Sequence, residues 1–161
     1  MTDWHSWDMK GKKDAKMARL ILQNRQKKHP VDRVALRRTL VRLVACLPLR
    51  EKAMWKSVTV LLVDDRESGR IHGATFGDPA PTDVITLRYR DLDTEAIDGE
   101  LIVNVECAHR EGERRAGWGF ERELALYFAH GLDHLCGNDD DTPASRRHMR
   151  QRELRWLKKC R

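Results

Sequence analysis

His130 and His134 stand four residues apart in the run His130-Gly131-Leu132-Asp133-His134-Leu135-Cys136-Gly137-Asn138-Asp139-Asp140. The stretch reads as helix. Four residues is a little over one turn, so both imidazoles project from one face. Gly137 can take a left-handed conformation, end the helix and turn the chain back. An acidic residue just past the turn can then reach the point at which the rings aim. Two imidazoles and one carboxylate meeting there would hold a divalent metal and leave a coordination position for water. Such a site performs hydrolysis.

Each part of this run also has a plainer reading. A His-x-x-x-His pair alone fits one core and one surface histidine, and the glycine and the acids after it add to the case for a metal. Asp139, Asp140 and Asp141 precede a helix, where carboxylates suit the positive end of the dipole. They lack the alternating ligands and central glycine of a calcium loop. Gly131 stands where the His-Glu-x-x-His pattern of zinc proteases carries its glutamate base. A peptidase would therefore lack its base, and Asp133 points to a different side of the helix. Cys136 is either a soft ligand or a buried, inert thiol.

The elements that must position these residues are legible from periodicity. The histidine helix is expected over about 119–136, with an apolar stripe of Leu124, Tyr127, Phe128, Gly131 and Leu135. The two histidines lie at the edge of that stripe, as side chains that look into a cleft would. Thr142 caps and Pro143 opens a last, very basic helix to about Lys159. Upstream, Arg19 to Asn24 is a short strand and Val31 to Leu47 a helix, capped by Asp32 and followed by Pro48. Lys56 to Val63 is the clearest strand. Glu67 to Phe76 forms a short helix, and Gly77-Asp78-Pro79-Ala80-Pro81 a loop. Thr82 to Leu87 and Glu100 to Val105 are strands with an acidic loop, 90–99, between them. Glu106 to Arg115 is helical. Residues 1–16 read as a polar leader, in which Trp4 and Trp7 are available to dock, and 17–161 as one domain.

The chain has 161 residues, 35% of them charged, and a net charge of +6. That balance favours a polyanionic partner such as nucleic acid. Cys46, Cys107, Cys136 and Cys160 form no CxxC pair, which fits reduced thiols in a cytosolic protein. No signal peptide is evident, and the apolar run 58–63 is far too short to cross a bilayer.

His130-Gly131-x-x-His134-Leu135-x-Gly137-x-Asp139 resembles the signature of the YbeY family, the bacterial endoribonucleases of ribosomal RNA maturation. Other segments agree in order: Leu22-Gln23-Asn24-Arg25-Gln26-Lys27, Gly77-Asp78-Pro79-x-Pro81-Thr82-Asp83-Val84-Ile85-Thr86, Gly99-Glu100-Leu101-Ile102-Val103, and Met149 with Glu153 in the closing helix. The similarity runs from about residue 20 to the C-terminus. It departs from the family in two places. The usual third histidine falls at Asp140, and the usual arginine before the Pro-Thr-Asp-Val loop falls at Phe76, with Arg70 nearby but out of register.

The resemblance implies an α+β fold, a small mixed sheet flanked by helices, with the metal site on a helix-turn at one end of a cleft. It implies one zinc per chain held by His130, His134 and Asp140, with Asp139, Asp141 and His148 as alternative ligands. Asp83 and Asp139 would support the ligands from behind, or Asp83 would simply hold its loop. Pro79 and Pro81 would stiffen that loop, and His72 just upstream reads as a surface histidine. The implied activity is cleavage of single-stranded RNA in the 3′-end maturation of small-subunit ribosomal RNA and in ribosome quality control. The partners would be that RNA and the small ribosomal subunit, in the cytoplasm, with the chain a monomer. Arg33, Arg37, Arg38, Arg42 and the arginines of the last helix would attract the RNA backbone. Two other readings stay open: a non-catalytic ribosome-associated RNA binder that keeps the fold, and a metallohydrolase of another substrate such as a peptide.

Overall fold

The computed structural model describes residues 18–160. The leader expected over residues 1–16 lies outside them. Four strands form one mixed sheet in the order β1-β2-β4-β3: β1 (Arg19–Asn24), β2 (Trp55–Val63), β3 (Val84–Arg90) and β4 (Ile97–Asn104). The first three in that order run parallel, and β3 runs antiparallel to β4 at one edge. The second half of β2 and of β4 is buried on both faces, as the interior strands of a covered sheet require.

Among the described residues, six helices flank the sheet: α1 (Arg33–Cys46), α2 (Leu49–Met54), α3 (Asp65–Phe76), α4 (Val105–Arg114), α5 (Phe120–Leu135) and α6 (Pro143–Lys159). The fold is thus α+β, as expected. The larger core joins the α1 stripe Leu36, Leu40, Leu43 and Val44 to Val58, Val60, Leu62 and Leu101 of the sheet. Leu124, Phe128, Leu132 and Leu135 of α5 complete it. Leu61, Val63, Ile85 and Ile102 face the other way, under Ile71 of α3.

Two elements differ from expectation. Helix α2 was not foreseen: Pro48 ends α1, and its backbone (φ −54°) opens a second helix of six residues. So short a helix shows no periodic stripe. Strand β4 starts at Ile97, inside the expected acidic loop, because Ile97 pairs with Trp55 and Asp98 with Ser57 across β2. The Ser57 hydroxyl donates to the Asp98 carboxylate, so cross-strand pairing outweighs the loop-like composition.

Two arginines of α1 serve the edge of the sheet. Arg33 and Arg37 donate to the Leu22 and Leu20 carbonyls of edge strand β1, and Arg42 to the Cys160 carbonyl after α6. Arg33 and Arg37, expected to attract RNA, thus also blunt an exposed strand edge.

Candidate metal centre

Helix α5 lies flat across the sheet because Gly131 has no side chain. A Cβ there would stand 2.7 Å from Leu101 and 3.1 Å from Val84. A glutamate at this position would run into the sheet, so the base of a His-Glu-x-x-His protease has no room. Flanking Gly131 on the helix, His130 and His134 project together, with ring centroids 4.4 Å apart.

The helix ends in a Schellman turn. Gly137 has φ +84°, the Gly137 N–H donates to the His134 carbonyl (2.8 Å), and the Asn138 N–H donates to the Asp133 carbonyl (3.3 Å). This turn swings Asp140 back over the histidines. The Asp140 carboxylate oxygens lie 4.0 Å from Nε2 of each ring. One donor atom from each of His130, His134 and Asp140 lies within 4.8 Å of the other two.

Each ring is held from behind. His130 Nδ1 donates to Glu153 Oε1 (2.7 Å), and His134 Nδ1 donates to the Asn138 carbonyl (3.0 Å). Both partners only accept, so in the neutral rings each Nε2 presents a lone pair. The two Nε2 atoms are 3.1 Å apart. Two lone pairs at that distance repel unless something positive lies between them. Nitrogens bound at about 2.05 Å to a tetrahedral ion stand about 3.3 Å apart, so the donor set fits a cation. The surroundings agree. Burial disfavours a charged His130, yet Glu153, then Asp83 and Asp140, outweigh it and raise its pKa above the ordinary value. Groups that favour a positive charge there favour a metal ion as well.

Two hollows flank the centre. A cavity of about 170 Å³ on the His130 side is lined by Asp83, Tyr127, Asp140, Arg146, Arg150 and Glu153, among others. A wider groove of about 520 Å³ on the His134 side is lined by His72, Phe76, Thr82, Thr86, Arg88 and Asp139, among others. The Thr82-Asp83-Val84 segment forms part of both. Asp83 Oδ1 accepts from the Val84 N–H and the Thr82 hydroxyl, so it holds its loop while also lining the cavity. His72, expected as a surface histidine, donates from Nδ1 to the Ala80 carbonyl (2.9 Å). With Ser68, which bonds Thr82, it pins the proline loop to α3.

The remaining candidates sort cleanly. Asp139 is exposed, and its carboxylate accepts from the Asp140 N–H. Asp139, Asp140 and Asp141 also cluster within 4.8 Å, on the exposed side, and the charge of Asp139 raises the Asp141 pKa. His148 is exposed on α6 and lines neither hollow. Asp133 is fully buried and clamps α6: Arg152 Nε donates to both its oxygens (2.9 and 3.0 Å). Cys136 does not join the donor group of His130, His134 and Asp140, and burial pushes its thiol up to about 12, in keeping with an inert thiol. Arg70 is paired with Glu67 on α3, and Phe76 is 59% exposed in the groove.

Sequence reasoning missed Glu153 as the partner of His130, although a signal was present. Met149, Glu153, Trp156 and Leu157 are the buried residues of α6. A carboxylate in a buried stripe requires a partner.

The model of the family described as endoribonuclease YbeY matches residues 21–161. A Chlamydia abortus protein of that name is 33% identical over 121 residues, covering 72% of this chain and 77% of its own. Its counterpart from Chlamydia felis is 31% identical over 147 residues, covering 86% and 89%. A Thermotoga maritima protein solved in solution superimposes with a TM-score of 0.59 at 22% identity, covering 88% of each chain, which speaks for the fold. The match across nearly the whole chain, together with the paired histidines and the turn behind them, means that this chain belongs to the YbeY family.

Proposed function

We propose that this chain is a zinc-dependent endoribonuclease that cuts single-stranded RNA, with one zinc held by His130, His134 and Asp140. The observation that carries the reading is the convergence of those three donors, each ring fixed by an acceptor on its far nitrogen. The relatives that share the fold bear the name endoribonuclease. When bound, a divalent cation supplies Lewis acidity to a phosphoryl oxygen and lowers the pKa of water.

The chain's own residues do the rest. Glu153 and the Asn138 carbonyl hold both rings as Nε2 donors. Asp83 and Asp139 fix the two loops that border the centre. Asp140, in place of a third histidine, adds one negative charge, which makes water at the site less acidic and opposes an incoming phosphate. Tyr127 closes the cavity wall; burial raises its pKa, as does Cys107 against its hydroxyl, so it stays a neutral phenol.

We extend the reading to 3′-end maturation of small-subunit ribosomal RNA and ribosome quality control, by a cytoplasmic monomer that meets the small subunit. The net charge of +6 supports a polyanionic partner. Among the described residues no helix is long and apolar enough to cross a membrane. Asp140 and Phe76 favour one second reading, a non-catalytic RNA binder. A peptide substrate is disfavoured by the close packing at Gly131.

The test is metal content by mass spectrometry beside cleavage of single-stranded RNA. Wild type is expected to carry about one zinc per chain and to cut. His130→Ala and Asp140→Ala are each expected to lose metal and cleavage together. Cleavage that survives His130→Ala overturns the reading, and metal without cleavage of any RNA favours the binder.

A further inference from the structure

The cavity beside His130 is lined by both signs of charge. Asp83, Asp140 and Glu153 stand in it together with Arg146 and Arg150 of α6. The arginines are one turn apart and therefore share a face of the helix. Arg146 Nη2 donates to the Asp140 main-chain carbonyl at 3.2 Å, which fixes it beside the donor loop. Arg150 Nη1 lies 3.7 Å from Glu153 Oε2, beyond hydrogen-bond length. Glu153 is the sole acid of α6, and its Oε1 is committed to His130. Among the described residues, neither guanidinium forms a bidentate carboxylate pair.

An anionic substrate entering this cavity meets three carboxylates. It needs compensating charge beside them, and guanidinium groups supply it permanently, with forks that match pairs of phosphate oxygens. We propose that Arg146 and Arg150 form the phosphate subsite of this centre and hold the non-bridging oxygens of the phosphodiester that lies over His130 and Asp140. The inference rests on the endoribonuclease reading for its substrate. It assigns the bordering face of α6 to a phosphodiester and against a peptide bond.

The test compares two double variants that remove equal charge from one helix. Arg146→Gln with Arg150→Gln empties the cavity wall. Arg147→Gln with Arg155→Gln removes two exposed arginines that line neither hollow. In the full zinc-loaded protein, kcat/KM for a short single-stranded RNA should fall about 100-fold in the first, from two lost charge-assisted contacts. It should fall only about threefold in the second, from weaker long-range attraction. Zinc content and thermal midpoint should not move in the second, and in the first kcat/KM is compared per bound zinc, because Arg146 also donates to the Asp140 carbonyl. Inorganic phosphate should compete with RNA in the wild type, with an inhibition constant at least about tenfold weaker in the first variant. Arg146→Lys with Arg150→Lys should recover part of the loss. Equal losses in the two Gln pairs, or phosphate inhibition that is the same in both, overturns the subsite. If the wild type cuts no RNA, the endoribonuclease reading fails by itself. Calorimetry of inorganic phosphate binding, with and without zinc, then decides the subsite: binding lost only in the first variant upholds it, and binding absent or unchanged overturns it.

Discussion

His130 gives its Nδ1 hydrogen to a buried carboxylate 23 residues further along, on another helix. His134 gives its Nδ1 hydrogen to a main-chain carbonyl four residues away, in the turn that ends its own helix. Both rings aim Nε2 at one point, yet one is oriented by tertiary docking and the other by local chain geometry. The first support fails when α6 lifts or Glu153 changes. The second has no side chain to remove and fails only when the turn is rebuilt. The His130 side is therefore the fragile half of the centre, and substitutions behind each ring should give unequal losses.

The largest effect expected from testing that inequality is on stability. Arg152 docks α6 by pairing with the fully buried Asp133. Arg152→Ala leaves that carboxylate buried with Asn138 Nδ2 as its one remaining side-chain donor. Removing one partner of a buried pair costs about 3 kcal/mol or more, measured by urea unfolding of the metal-free protein. A loss under about 1 kcal/mol, the worth of an exposed pair, means that α6 is docked by Met149, Trp156 and Leu157 alone.

Next is Glu153 itself. Groups that orient a ligand's far nitrogen are worth about 10- to 100-fold in metal affinity. Glu153→Ala belongs at the upper end and Glu153→Gln, which keeps an acceptor, at the lower, in a competition titration against a zinc chelator. Equal affinity in both variants and wild type removes the tertiary half of the comparison. The third effect is at Gly137. Gly137→Ala forces a Cβ into φ +84° and costs about 1–2 kcal/mol, with a weaker metal affinity because the Asn138 carbonyl shifts. Unfolding and the same chelator titration read both parts.

The unequal supports also explain what the sequence reveals. The histidine spacing, the left-handed glycine and the returning acid are all local, so the turn and the facing rings are legible from one run of residues. The strands and long helices follow from periodicity in the same way. Glu153 and the Arg146–Arg150 wall belong to a helix whose composition reads simply as basic. Which of its faces meets α5 is decided by Met149, Glu153, Trp156 and Leu157 packing against the rest of the fold, and no local pattern names the partner. Helix α2 escapes for a different reason, being too short to express a period. The α1 arginines show the same limit, because a basic helix face looks the same whether it meets a phosphate or, as Arg33 and Arg37 do, the carbonyls of an edge strand.

Asn138→Ala gives the smallest effect and the sharpest one. The Asn138 side chain donates to Asp133 at 2.8 Å, while its main-chain carbonyl accepts from His134. The substitution removes the first contact and keeps the second. Loss of one hydrogen bond to a carboxylate that Arg152 also serves should cost about 1 kcal/mol in unfolding. Zinc affinity should stay within about threefold of wild type, because the atom that orients His134 is still there. The matched change on the other ring, Glu153→Ala, removes the orienting atom itself. If Asn138→Ala weakens zinc binding as much as Glu153→Ala does, the His134 ring depends on a side chain after all, and the division between a local and a tertiary support dissolves.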